Sequence, residues 1–109
     1  MALNHARSGE VVHLGPPGAA LNEGKTAAIV KSERFEAMRL VIREGMEIPS
    51  HAVSGIITLH CLEGSVELGL QSGPVELAAG DWLYLGDGEA HSLKGLRHSA
   101  LLMTVIFNP

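Results

Sequence analysis

From Lys25 onward the chain is a succession of short apolar stretches, about five to nine residues each, separated by Gly, Pro, Asp, Asn or Ser. Stretches so short and so often interrupted suit β-strands, which run about five or six residues, better than helices of ordinary length. The spacing predicts an all-β sandwich or barrel rather than alternating strands and helices. Residues 1–24 read instead as an irregular arm. In that arm the apolar patch of Val11, Val12 and Leu14 is followed by Gly15, Pro16, Pro17 and Gly18, which interrupt regular structure. An arm of this kind suits packing across a partner subunit, so the domain proper is taken as residues 25–109.

Within the domain the stretches differ in character. Ile56 to Leu62 is nearly continuous in apolar residues, as expected of a strand buried on both faces. After the turn permitted by Gly64, Val66, Leu68 and Leu70 alternate with Glu67, Gly69 and Gln71. A turn at Ser72, Gly73 and Pro74 then leads into Val75, Glu76 and Leu77, completing a hairpin. Gly80 and Asp81 precede the short apolar run Trp82 to Leu85, and Gly86, Asp87 and Gly88 close it; the side chain of Asp81 is placed to cap its turn. The last long strand is Ser99 to Phe107. Phe35 to Arg43 is ambiguous. Met38, Leu40 and Ile42 alternate with Arg39, Val41 and Arg43 as in a strand, while Phe35, Met38 and Ile42 also recur at helical spacing.

At 109 residues there is room for one core and no second domain. Trp82, Tyr84, Phe35 and Phe107 are the only Phe, Tyr or Trp residues, so aliphatic side chains must fill the interior and stacking surfaces for bases are scarce. The net charge of −4, with no Lys/Arg cluster, argues against nucleic acid and anionic membrane as partners. No apolar run reaches the roughly 20 residues of a membrane span. The expectation is therefore a cytoplasmic protein with a small-molecule ligand. Cys61 is the sole cysteine, which excludes an intrachain disulfide and a Cys-based zinc cluster, and it reads as a small core residue.

Two Gly-anchored motifs flank the hairpin. Gly45, His51 and Gly64 form the first, with Met46 to Ser50 between the Gly and the His; Gly80, Gly88 and His91 form the second, with Asp81 after the first Gly. In this the chain resembles the cupin superfamily, specifically its small single-domain members, over about residues 25–107. The resemblance implies an all-β cupin jelly-roll β-barrel, a two-sheet sandwich with an interior small-molecule pocket. It also implies metal ligands, normally three His and one Glu. This chain departs from that set: Val53 stands at the second His, Ile57 at the Glu, Gly86 at the Pro of the second motif, and Gly95 at its Asn.

Of the ligands only His51 and His91 keep their places. His98, at the start of the final strand, is the candidate for a third donor, whereas His60 has the opposite parity to Ile57 and is expected to point away. The cofactor implied is one divalent transition metal, zinc, nickel, iron or manganese; the other reading is a metal-free pair of imidazoles. Counting by twos from His51, the inward row is Val53, Ile57, Leu59 and Cys61, an apolar pocket lining with polar groups at one end. Two functions stay open: a binding module for a small apolar ligand, and a metal-dependent dioxygenase, isomerase or decarboxylase acting on a small organic acid or aromatic compound. Trp82 and Tyr84, opposite in parity to Leu83 and Leu85, are expected on an outer face or a dimer contact. Together with the arm they point to a homodimer.

Overall fold

The computed structural model describes residues 5–14 and 26–109. The interruption at Gly15–Gly18 and the boundary between arm and barrel at residues 24 and 25 lie outside the described residues. Those residues form nine strands: β1 (Ala27–Lys31), β2 (Phe35–Ile42), β3 (Glu47–His51), β4 (Gly55–Glu63), β5 (Ser65–Leu70), β6 (Gly73–Ala78), β7 (Trp82–Leu85), β8 (His91–Gly95) and β9 (Ser99–Phe107). Every pairing is antiparallel. One sheet has the order β1-β2-β9-β4-β7 and the other β3-β8-β5-β6, so the chain crosses repeatedly between two packed layers in a jelly roll. Among the described residues no helix is long and apolar enough to cross a membrane.

Tertiary pairing resolves the ambiguous segment as a strand. β2 pairs with β9 without interruption from Phe35↔Ile106 to Ile42↔Ser99. The three-and-four spacing of Phe35, Met38 and Ile42 is therefore overridden: Leu40 and Ile42 enter the core while Phe35 faces outward. The hairpin of β5 and β6 turns at Gln71 and Ser72, one step earlier than its Gly-Pro signal suggests, so Gly73 and Pro74 already belong to β6. Pro74 is tolerated because β6 is the edge of its sheet, where a missing N–H breaks no second ladder.

The core lies between the layers. Leu40, Ile42, Ile57, Leu59, Cys61, Leu85, Leu101 and Val105 come from the larger sheet, and Val66, Leu68, Leu77 and Leu93 from the smaller. Each fully buried aliphatic side chain contributes about 1.5–3 kcal/mol relative to exposure. Two glycines are required by close approach. Gly64 has φ +79°, and a Cβ there would meet the His98 carbonyl oxygen and Ser99. Gly95 bonds from its N–H to the Met46 carbonyl and accepts from the Gly45 N–H, and a Cβ there would strike the backbone of Arg43. The Arg43–Met46 turn thus lies directly against β8, which accounts physically for the absence of a side chain at position 95.

Candidate functional site: a histidine pair at one end of the barrel

His51 ends β3 and His91 begins β8, and the two are cross-strand partners. The pairing depends on a bulge. Between Ile48↔Leu93 and His51↔His91, three steps along β3 are matched by two along β8. In an unbulged strand residues 48 and 51 would face opposite sides; the extra residue restores His51 to the side of His91. Pro49 falls in this stretch, and β3 is a sheet edge, where Pro and bulges are accommodated.

The ring centroids lie 4.4 Å apart with an interplanar angle of 54°. His51 Nδ1 is 3.1 Å from the Pro49 carbonyl, and His91 Nδ1 is 3.1 Å from the Glu89 carbonyl. A carbonyl oxygen only accepts, so each Nδ1 carries the proton and donates it. In the neutral ring Nε2 is then a lone pair, and no described residue hydrogen-bonds to either Nε2. Although His91 is only 1% exposed, its neighbour His51 is exposed, so the pair joins the core to solvent. The surrounding loops are pinned. Asp87 Oδ1 accepts from the Gly55 N–H at 2.8 Å and from Asn108 Nδ2 at 3.0 Å, and Asn108 also donates to Ser54 Oγ.

His98 is not brought to this pair. It follows the far end of β8 from His91, and Gly95 alone is already about 13 Å away along that strand. Its Nδ1 accepts from the Glu44 N–H at 3.2 Å, so it holds the opposite tautomer and braces the β2–β3 turn. His60 pairs with Trp82 and Leu102 on the outer face of the larger sheet, as its parity implied. Of the anticipated pocket row, Ile57, Leu59 and Cys61 do face inward, but they are sealed from solvent in the packed cluster. They belong to the packed core rather than to an open wall, and Cys61, against Gly64 beside His98, lies toward the far end from the histidine pair; only Val53 is half-buried.

A residue the sequence reading passed over is Glu36. It has the parity of Met38 and Leu40, and its register partner in β9 is the core residue Val105, itself paired with Ile57. Glu36 is therefore half-buried on the inner face of the larger sheet, at the end where β4 follows β3 and thus at the end that carries the histidine pair. The signal was a charged residue at an inward position of an alternating strand, legible only once the strand was distinguished from a helix.

The Cys61 thiol is pushed above its ordinary pKa by burial, opposed in part by hydrogen bonding with the Glu63 backbone, with a lesser further rise from the Asp81 charge. The sulfur lies 3.4 Å from the Glu63 carbonyl oxygen and 3.7 Å from that of Gly64. Such a thiol is protonated at neutral pH and inert. It is expected to react with Ellman's reagent only as fast as the protein unfolds; prompt reaction of the folded protein would place it at an accessible surface.

No protein-family model and no curated protein matches the chain. Solved structures do. A cupin superfamily protein from Desulfitobacterium hafniense superposes with a TM-score of 0.74 at 15% identity, covering 77% of each chain. A conserved protein of unknown function from Streptococcus pyogenes gives 0.77 at 16% identity, over 100% of this chain and 99% of its own. Salicylate 1,2-dioxygenase from Pseudoaminobacter salicylatoxidans gives 0.69 at 15% identity over 74% of this chain, which corresponds to 24% of that longer chain. Fold is shared with proteins of unassigned function and with an enzyme alike, so the site must supply the functional argument.

Proposed function

The chain has the cupin fold, and from that premise we propose that it binds a small molecule at the end of the barrel marked by His51 and His91, using their two Nε2 atoms as acceptors. The observation that carries this is the pair of backbone carbonyls fixing both Nδ1–H groups, which leaves two lone pairs on rings 4.4 Å apart, one of them on a buried ring at the edge of the apolar core. Such a site takes a compact, largely apolar molecule bearing hydrogen-bond donors, hydroxyl or amine.

A resident metal fits this donor set poorly. Among the described residues no three His, Cys, Asp or Glu side chains converge closely enough to hold an ion, whereas protein metal sites normally draw on three or four such donors. A second reading, an enzyme acting on a small aromatic, draws on the same geometry. A neutral imidazole whose Nδ1–H is pinned is oriented to take a proton through Nε2, as a general base does.

The test combines elemental analysis of untagged protein with nitrogen NMR of the histidine rings during titration with catechol and, separately, benzoate. Expected are far less than one equivalent of metal, catechol-dependent shifts at Nε2 of His51 and His91, weaker effects from benzoate, and loss of the catechol response in His91→Ala. Stoichiometric metal that disappears in His51→Ala would replace this reading with a metal-dependent one. Histidine signals unmoved by both compounds would remove the ligand class.

A further inference from the structure

Strand β7 leaves the larger sheet sooner than its neighbour β4 does. Pairing stops at Ile57↔Leu85, yet the antiparallel register carried two steps further sets Gly55 opposite Asp87. There the backbone after β7 has already turned away, and the Asp87 side chain stands in for the missing ladder: its Oδ1 accepts the N–H of buried Gly55 at 2.8 Å. The same oxygen accepts from Asn108 Nδ2 at 3.0 Å, so one carboxylate joins the start of β4, the β7–β8 loop and the segment that follows β9. The anchor is fixed in place, because Gly55 lies so close to the Ile106 backbone that a Cβ there would strike its carbonyl. Released from the ladder, residues 86–89 close a tight turn. Glu89 N–H bonds back to the Gly86 carbonyl at 3.2 Å, with Asp87 in the second position and Gly88, at φ +72°, in the third, as a type II turn requires. The last residue of that turn supplies the carbonyl that accepts from His91 Nδ1.

We propose that Asp87 is a positioning residue for the histidine pair: by holding the 86–89 turn against β4 it keeps the Glu89 carbonyl on the Nδ1–H of His91 and so reserves the Nε2 lone pair for a ligand. Its meaning for binding rests on the function proposed above; its effect on the ring does not. A neutral imidazole carries one proton on two nitrogens, and the tautomer is set by which nitrogen finds an acceptor. The Glu89 carbonyl belongs to no strand, so its aim depends on what holds the turn. His51 differs, since its own acceptor, the Pro49 carbonyl, is part of β3. Loss of Asp87 therefore acts on one ring and spares the other, whereas a general loosening of this end of the barrel would act on both. A carboxylate accepting a backbone N–H makes a charge-assisted bond, stronger than one between neutral groups. Asp87 is nonetheless exposed, so water competes for its bonds and the consequence of losing it is a shift in tautomer population rather than collapse of the fold.

Nitrogen NMR of the rings, in ligand-free protein at mildly alkaline pH, reads the tautomer at each histidine. In Asp87→Ala the ratio of Nδ1–H to Nε2–H at His91 is expected to fall about 3- to 10-fold, the factor that one net hydrogen bond is worth, while His51 keeps the wild-type ratio. Asp87→Asn retains an oxygen with two lone pairs and should hold the His91 ratio within about 2-fold of the wild type. Asn108→Ala, which removes one of the two bonds to the carboxylate, should shift His91 in the same direction by a smaller factor, and it decides the question if Asp87→Ala does not fold. An unmoved His91 in folded Asp87→Ala, or in Asn108→Ala where that variant stands in, overturns the proposal. So does a shift of equal size at His51, or an Asp87→Asn variant as disturbed as Asp87→Ala. Titration with catechol separates this proposal from the ligand-binding one. Catechol that leaves both rings of the wild type unmoved removes the ligand and spares the role of Asp87, whereas catechol that binds the wild type while His91 ignores Asp87→Ala does the reverse.

Discussion

Ile57→Glu is expected to destabilise the protein by about 3–4 kcal/mol at pH 7, a large share of the roughly 5–15 kcal/mol available to a domain of this kind. The substitution installs the carboxyl that the cupin pattern has at this position. In this chain Ile57 is 2% exposed, between its partners Leu85 and Val105, both buried, and in the same packed cluster as Leu59. A carboxylate there loses its hydration with no described donor to replace it, so its folded-state pKa is raised above the unfolded value of about 4.3. The sign follows from linkage. Below the unfolded pKa both states hold the proton and the ionisation penalty vanishes; as pH rises, the unfolded state ionises first and the folded state is progressively disfavoured. Thermal melts should therefore show the variant falling further below the wild type at pH 7.5 than at pH 4, by on the order of 15 °C at the higher pH. Equal melting temperatures at pH 7.5 would mean that position 57 borders a hydrated cavity, and the packed core at this position would have to be abandoned.

The second large effect comes from the other departure. Gly95→Asn restores the residue typical of the second cupin motif, yet it is expected to cost about 2–3 kcal/mol rather than improve the protein. A Cβ at 95 would meet the Arg43 carbonyl and, beyond it, the Ile42 side chain, neither of which is the free end of a flexible group. Because Gly95 exchanges backbone hydrogen bonds with Gly45 and Met46, the strain also opens the β2–β3 turn that His98 braces. Denaturant unfolding measures the cost; a neutral or stabilising result would show that the turn is free to move away from β8.

These two positions show what the sequence could convey. The parity of β4 was legible because no bulge interrupts Gly55 to Cys61, so counting by twos from Ile57 correctly set Leu59 and Cys61 inside and His60 outside. Whether that inward row borders space or solid was not legible, since an apolar pattern is the same for a pocket lining and for a core. The meeting of His51 with His91 followed from the resemblance, whereas the bulge that produces it left no local signature beyond Pro49. His98 failed to join them because nearness to a strand end does not say which end, and β8 separates the two. Glu36 was hidden by the helical alternative for its segment, which pairing with β9 removes. Each miss concerns a relation between strands, set by tertiary packing rather than by the residues nearby.

The one-residue excess in β3 makes the position of His51 a matter of counting. Removing Ser50, or inserting a residue beside it, would rotate the ring to the opposite side of an edge strand while leaving the aliphatic interior almost untouched. A lineage of such barrels can therefore gain, lose or re-aim its reactive imidazole by single-codon insertions and deletions, without first solving a new packing problem.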